Sequence, residues 1–321
     1  MYFPYLRGRQ YELLALKELA KDGLIGSYII PIIEPIKSSV SSTFTGTLQE
    51  FFRTGRPLAL VFNPAVGDCA GEDFFVDIYA QTVNNFLGVM PTLLMNKSTA
   101  ATLQKLDTKG VERSELATVL NNRDSLDIYK AEFDAIAPAY TLFADERSLR
   151  RVVKQGKVMF EDKFNKKDKN SDYSKNIDEF FSDDHLFYAA EGYDGFGDYS
   201  IVGNDYNEGG FAPYAVAIHI VYLNPANELR IRHFISDSNR DTSDVAGKFR
   251  EALAKYIDWK QEWQLERPDL FVGGTSPTRA MTVLDNHWQN ETYPGLPTLK
   301  KLSIMHHLEL MSKFLDARAG K

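Results

Sequence analysis

Three carboxylate residues in this sequence follow short apolar runs of the kind that form buried strands. Glu34 ends the run SYIIPIIE, Glu161 follows KVMF, and Asp198 lies in GFGDYSIVG. Carboxylate oxygens are the ligands that a hard cation such as Mg²⁺ or Mn²⁺ prefers, and burial raises the pKa of a carboxyl group toward values that suit proton transfer. Glu34, Glu161 and Asp198 are therefore the candidate metal ligands, and together with Lys163 they are the candidate catalytic residues.

Each of these residues also has a structural alternative. Glu161 and Lys163 stand two residues apart, so they share one face if the strand continues through them. Lys163 would then hold a phosphate or carboxylate, or the two would form a salt bridge at the edge of the sheet. Glu34 can serve as an acceptor for loop amides. The glycines around Asp198 permit close approach to a ligand or shape a bent strand.

Three further residues with hydrogen-bonding side chains are candidates for binding substrate. Arg7 ends the first apolar run and suits the capture of an oxyanion by two hydrogen bonds. Asn63 and Asn96 end the runs PLALVFN and MPTLLMN, and each offers a donor and an acceptor. The alternatives are an ion pair between Arg7 and Glu12, and the common use of Asn where a strand turns into a loop.

Buried strands alternate with helical segments through the first two thirds of the chain, and this pattern predicts how the candidates are positioned. Eight strand–helix units in about 200 residues fit a (β/α)8 barrel of the TIM type, although an open doubly wound sheet shares the alternation. One predicted helix covers GEDFFVDIYAQTVNNFLG. Because active sites of such barrels lie at the carboxyl ends of the strands, the candidates are expected to meet at one rim.

The pattern changes near residue 210, so we expect a barrel over 1–210 and an extension over 211–321. YAVAIHIVYLN and ELRIRHFISDS predict an antiparallel hairpin with His219 and His233 as cross-strand neighbours in the sheet. Helices follow, the last of them containing His306 and His307, one expected to be packed and the other exposed. The charged segment FEDKFNKKDKNSDYSKNIDEFFSDD is expected to be a mobile loop beside the site.

Composition limits the class of protein. The 321 residues carry a net charge of −7, which argues against non-specific binding to nucleic acid or to an anionic membrane. Cys69 is the single cysteine, which excludes an intrachain disulfide and a cysteine-based zinc site. The sequence has no apolar run long enough for a membrane span and no signal peptide, so a cytoplasmic location is expected.

The two ends of the chain resemble the beta-protein family of bacterial and phage proteins. The resemblance rests on YFPYLRGRQYELLALKEL, IIPIIEPIK, GFGDYSIVG and GLPTLKKLSIMHHLELM. It implies a barrel-like α/β fold and a setting in phage defence or mobile elements, sometimes beside a nuclease-like gene. The positions that match are Tyr5, Gly8, Glu12, Glu34, Asp198 and His307, to which the resemblance assigns no roles.

Two functions remain open at this stage. The first is metal-assisted hydrolysis of a nucleotide or phosphodiester at the rim of the barrel, where the acidic net charge favours a small nucleotide over duplex DNA. The second is a scaffold or regulator that binds a partner nuclease or toxin through the hairpin and the helix with Trp259 and Trp263. Packing of these two tryptophans in a core is the alternative to an interface.

Overall fold

We describe the protein from a computed structural model, which covers residues 1–37, 41–70, 89–207, 209, 213–266 and 277–320. The chain divides into two compact units. The first consists of Met1–Asp162 and Asp184–Ser200, and the second of Lys163–Asp183 and Ile201–Lys321. The second unit therefore takes up a segment of the charged region that precedes the last barrel strand.

The first unit is a closed barrel of parallel strands, which confirms the predicted (β/α)8 fold. The strands follow the order β1-β2-β3-β4-β5-β6-β7-β9. Their bounds are β1 Tyr2–Leu6, β2 Ile32–Ile33, β3 Leu58–Val61, β4 Val89–Leu94, β5 Ala117–Leu120, β6 Tyr140–Phe143, β7 Lys157–Phe160 and β9 Gly195–Asp198. The strand between β7 and β9, β8, belongs to the second unit.

Helices lie between the barrel strands, as the alternation predicts. They are α1 Gln10–Lys21, α2 Ser42–Thr54, α3 Thr99–Thr108, α4 Ser125–Phe133, α5 Arg147–Val152 and α6 Asp184–Phe187. Local interactions fix where α2 begins and ends: the Ser41 hydroxyl accepts a hydrogen bond from the Phe44 amide at 3.1 Å, and Gly55 ends the helix with a φ of 61°. The helix predicted within 71–88 lies outside the described residues.

Alternate residues of the barrel strands form the core inside the barrel. Phe3 and Tyr5 from β1, Val61 from β3 and Phe160 from β7 belong to this cluster. Strand β9 reaches β1 closely because it carries glycine on the inward side: a Cβ added at Gly197 would lie 2.5 Å from the Phe3 carbonyl oxygen. The glycines near Asp198 thus serve close packing between strands.

The second unit is built on an antiparallel sheet in the order β10-β11-β8. The strands are β8 Asp178–Ser182, β10 Ala217–Leu223 and β11 Leu229–Ile235, and the helices are α7 Val245–Glu266, α8 Arg279–Gln289 and α9 Leu296–Arg318. Strands β10 and β11 form the predicted hairpin, with His219 directly opposite His233. None of the helices in the described ranges is long and apolar enough to cross a membrane.

The structure corrects two predictions about the second unit. The charged segment is not simply a loop, because Asp178–Ser182 pairs with β11 as an antiparallel strand. His306 and His307 are both buried, at 1% and 0% exposure, because α9 is enclosed on nearly all faces. His306 contacts the Thr278 hydroxyl at 2.8 Å and the Val221 carbonyl at 2.6 Å.

Trp259 and Trp263 are packed inside the second unit, which is the alternative that the sequence left open. The two indole rings stack with their centroids 5.1 Å apart, and each is 6% exposed. Tyr222 packs against both rings. A protein partner, if one exists, would have to use a different surface.

Candidate functional site

The candidate site in the first unit begins where the inward-facing core of the barrel ends. Arg7 and Glu34 lie two residues beyond the core residues Tyr5 and Ile32, and the two-residue period of a strand places them on the same inward side. Arg7 is 7% exposed and Glu34 is fully buried. The predicted meeting of strand-end residues therefore holds for this pair, at the carboxyl ends of β1 and β2.

Glu34 is held by partners on both of its carboxylate oxygens. Oε2 accepts hydrogen bonds from the Arg7 guanidinium and from the Tyr5 hydroxyl, the latter at 2.8 Å. Oε1 accepts from the backbone amide of Ala65 at 2.7 Å. A buried carboxylate with these partners has a structural role: it accepts a hydrogen bond from a loop amide, as the alternative in the sequence analysis expected, and it also forms an ion pair with Arg7. Arg7 thus pairs with Glu34, while its backbone amide donates to Glu12 at 2.8 Å.

Two tyrosine rings flank the Arg7 guanidinium. Its central carbon lies 5.2 Å from the centroid of Tyr5 and 5.5 Å from that of Tyr199, which is within range for cation–π attraction. Burial, and then the charge of Glu34, raise the pKa of Tyr5 well above its usual value. Burial also raises the pKa of Tyr199, and the charges of Glu34 and Asp162 add to this effect against that of Arg7. Both phenols therefore stay protonated near neutral pH.

The guanidinium keeps its charge despite burial. Burial alone would lower the pKa of Arg7, but Glu34, Tyr5 and Tyr199 outweigh it, so that the pKa is raised. The Arg7 guanidinium is therefore charged throughout the physiological range.

Asn63 and Asn96 lie together on the neighbouring strands and hold the backbone there. The Asn63 side chain donates to the Leu94 carbonyl at 2.7 Å and accepts from the Leu94 amide at 2.8 Å, which extends the pairing of β3 with β4. The Asn96 oxygen accepts from the Ser98 amide at 2.9 Å, where the chain turns toward α3. Asn63 also reaches the Asn96 oxygen at 3.3 Å.

Asp198 and Glu161 have partners outside the Arg7–Glu34 pair. Asp198 accepts from the Tyr2 hydroxyl at 2.8 Å and from the Ser200 amide at 2.7 Å. It alternates with Tyr199, which belongs to the inward core, so it lies on the opposite side of β9. Glu161 is half-buried, and its Oε1 lies 3.5 Å from the Asp145 amide.

Strand β7 ends at Phe160, before the segment that was expected to align Glu161 with Lys163. The alternation of a strand therefore gives no shared face to these two residues. Phe160 faces inward, and the charge of Asp162, two residues later, acts on Tyr199, which also belongs to the inward core. Lys163 begins the segment that belongs to the second unit, and its side chain is half-buried.

The three carboxylates do not fit a shared Mg²⁺ or Mn²⁺ ion. Both oxygens of Glu34 already accept hydrogen bonds, and Asp198 is bound to Tyr2. Within the ranges that the structure describes, no group of three or more His, Cys, Asp or Glu side chains is placed to hold a metal ion.

A second candidate site lies entirely within the second unit. It is a cavity of about 970 Å³ between the segment before β8, the hairpin and the start of α9. Its apolar and aromatic lining includes four buried residues, Phe164, Tyr173, Ile201 and Leu299. Tyr214, at the edge, is 59% exposed. We refer to this space as the lysine cavity.

The lining of the lysine cavity is basic. Among the residues that the structure describes, it carries one acidic side chain, that of Asp168, against four lysines: Lys166, Lys167, Lys169 and Lys300. Neighbouring acids offset part of this charge, since the Lys167 ammonium lies 3.7 Å from Glu179 and the Lys166 ammonium 3.9 Å from Asp205. The lining still holds an excess of positive charge in a chain whose net charge is −7. Such a space attracts anions.

Sequence reasoning named Tyr5 without giving it a role, and it missed Tyr199, Asp162 and the lysine cavity as candidates. The run NKKDK in the charged segment was the one visible signal for the lysine cavity. The fourth lysine, Lys300, stands more than a hundred residues away in the sequence.

Comparison with protein-family models, with curated proteins and with solved structures found no significant match to this chain. The resemblance to the beta-protein family therefore stays a prediction.

Proposed function

We propose that the protein binds a small phosphate-bearing ligand of the nucleotide class in the lysine cavity. The observation that carries this proposal is the combination of four lysines with an aromatic and aliphatic floor in one cavity. Lysine ammonium groups are compact charges that suit phosphate, and aromatic faces suit a planar base.

The size of the lysine cavity favours a small ligand. Its volume of about 970 Å³ lies within the range of small-molecule sites in proteins. Tyr214 at the edge offers an exposed ring face on which a base can stack, a contact worth roughly 1–3 kcal/mol. The acidic charge of the whole chain opposes a long polyanion such as duplex DNA, because such a ligand would extend beyond the basic lining.

Calorimetric titration with adenosine 5′-monophosphate, adenosine and inorganic phosphate tests the proposal. Adenosine monophosphate is expected to bind with a Kd below about 1 mM at low ionic strength, and adenosine at least about tenfold more weakly. Equal binding of the two, or binding of neither, would refute the proposal, because the phosphate is then not recognised.

A pair of neighbouring lysines supplies the matched control. Lys300→Gln removes a charge from the lining and is expected to weaken binding of adenosine monophosphate roughly tenfold, the value of one charge-assisted contact. Lys301→Gln makes the same change one residue later on α9, at a side chain outside the lining, and is expected to leave the Kd unchanged.

A second candidate function, which we also propose, is hydrolysis of a phosphate ester at the rim of the barrel. It is supported by Asp162, an exposed carboxylate whose charge acts on Tyr199, the ring that flanks the buried Arg7. Asp162 would take a proton from water as the water attacks phosphorus and the P–O bond to the leaving group breaks, and the leaving alkoxide would take a proton from solvent water and depart as the alcohol. Arg7 and Tyr199 would stabilise the charge on the phosphoryl oxygens.

Cleavage of a nucleotide panel tests this second candidate, with Mg²⁺, with Mn²⁺ and with a chelator. Asp162→Asn is expected to abolish turnover, whereas Asp127→Asn, at an exposed carboxylate on α4, is expected to retain it. Absence of turnover in the wild-type protein under all three conditions excludes hydrolysis and leaves the binding proposal standing.

A further inference from the structure

Two histidines on the hairpin share a hydrogen bond at the wall of the lysine cavity. His219 lines the cavity, and its Nδ1 atom lies 2.8 Å from Nδ1 of His233 on the paired strand. One nitrogen must donate and the other accept, because two unprotonated nitrogens would repel each other. Both rings pack against Tyr173, with centroids 4.7 and 4.5 Å away, which fixes their orientation.

Glu179 decides the direction of this hydrogen bond. Its Oε1 atom lies 3.4 Å from Nε2 of His233, on the far side of that ring from His219, and the two buried atoms interact through charge without forming a hydrogen bond. A carboxylate favours a proton on the nitrogen that faces it, so Nε2 of His233 carries the hydrogen and Nδ1 of His233 accepts from His219. His219 then has its hydrogen on Nδ1 and an unshared electron pair on Nε2, the nitrogen that is not engaged with His233.

From this arrangement we propose that His219 shares one proton with a terminal phosphate in the lysine cavity, which makes the site selective for phosphate monoesters over diesters and sulfate. The inference rests on the proposed nucleotide binding. A fully ionised phosphate oxygen facing Nε2 would repel its electron pair, whereas a protonated phosphate oxygen donates a hydrogen bond to it. A monoester can supply that hydrogen, because its second pKa is ~6. A diester or sulfate has no proton to supply near neutral pH.

The surroundings keep the proton from residing on the histidines before the ligand arrives. Burial, then His233 and Lys300, lower the pKa of His219 to about 3. Burial also lowers the pKa of His233, against the opposing charge of Glu179. The phenol of Tyr173 stays neutral, since burial raises its pKa. The charged groups that face the histidine pair come from the strand β8, the segment before it and α9: Asp178, Glu179, Lys167 and Lys300.

The ligand must therefore bring the proton, and the bound state holds one proton more than the separate partners at alkaline pH. Above the second pKa of the free phosphate, the Kd for a monoester is expected to rise roughly tenfold per pH unit. The Kd for a diester is expected to stay level between pH values of about 6.5 and 8.5.

Calorimetry in buffers of different ionisation enthalpy measures the proton directly, with adenosine 5′-monophosphate and adenosine 3′,5′-cyclic monophosphate as probes. The expected uptake at alkaline pH is about one proton for the monoester and about none for the cyclic diester. His219→Asn is expected to abolish the uptake, as is Glu179→Gln, which leaves both rings in place and removes the carboxylate that orients them, along with the counter-charge of Lys167. His287→Gln, at a histidine on α8 outside the lysine cavity, is expected to behave as the wild type.

Each outcome decides the matter. Tight binding of the monoester without proton uptake overturns the shared proton and leaves nucleotide binding intact. Equal uptake with the monoester and the cyclic diester also overturns it, because the proton then comes to the protein alone. Binding of neither probe overturns the inference and the proposed function together.

Discussion

Removal of the Glu34 charge is predicted to destabilise the barrel strongly, without any change of shape in the side chain. In Glu34→Gln the Arg7 guanidinium, 7% exposed, loses its buried counter-charge. Breaking one partner of a buried ion pair costs about 3–5 kcal/mol, because the other charge stays desolvated. Since about 1.4 kcal/mol corresponds to a factor of ten, the opening equilibrium of β1 and β2 is expected to rise by roughly two to four orders of magnitude.

Amide hydrogen exchange of peptides from β1 and β2 measures this opening in the barrel itself. The protein supplies an internal reference, because its three tryptophans all belong to the second unit, and their fluorescence during urea unfolding reports on that unit. Glu50→Gln is the matched control: it makes the same substitution in a pair with Arg53, whose side chain is 59% exposed. This control is expected to cost less than about 1 kcal/mol.

The double substitution Arg7→Met with Glu34→Met separates charge from packing. It removes both buried charges and is expected to recover most of the loss, since apolar residues of similar size often replace buried ion pairs at little cost. Exchange rates in Glu34→Gln that match those in Glu50→Gln would show that the buried pair does not act as we describe.

Three further results are expected. His306 is buried, and its pKa is lowered to about 4 from about 6.5 in the unfolded chain. The stability that neutral His306 contributes is therefore present above pH 6.5 and is lost as the pH falls toward 4, by up to about 3 kcal/mol. Urea unfolding curves of His306→Gln should not show this loss. Gly197→Ala should lower the stability of the barrel by about 1–3 kcal/mol, because the new Cβ would lie 2.5 Å from the Phe3 carbonyl oxygen, and thermal unfolding followed by circular dichroism measures this. Trp263→Ala should destabilise the second unit by about 3–5 kcal/mol in urea, because it leaves a cavity beside Tyr222, and a stability equal to that of the wild type would contradict the packing.

The barrel was predictable because most of its strands are largely apolar runs, which is the sequence pattern of a strand buried on both faces. The residues that follow these runs were also predictable as rim residues, and Arg7 and Glu34 do meet there. The face on which a residue lies was harder to predict. Met159 and Phe160 are both apolar, so the sequence alone did not show that Phe160 points inward, nor that the charge of Asp162 acts on the inward Tyr199.

The roles of the rim residues depended on partners that the sequence does not place. From the sequence, Glu34 was a candidate for proton transfer, but in the structure its oxygens accept hydrogen bonds from the Tyr5 hydroxyl and the Ala65 amide. From the sequence, Asn63 was a candidate for binding substrate, but in the structure its side chain forms two hydrogen bonds with the backbone of Leu94 on the next strand.

The lysine cavity escaped prediction because its charges come from distant parts of the chain. Lys166, Lys167 and Lys169 stand in a segment whose mixed charge is typical of a loop, whereas Lys300 lies on the last long helix. The apolar residues on several faces of that helix are typical of a buried helix, and this signal could have predicted that His306 and His307 are both enclosed.

A crystal structure of the protein soaked with adenosine 5′-monophosphate tests the proposed binding most directly. We expect the phosphate in the lysine cavity, within hydrogen-bond distance of the Lys300 ammonium and of Nε2 of His219, and the adenine ring against an aromatic wall. Density for the nucleotide outside this cavity, with the lysine cavity filled by water alone, would contradict the assignment.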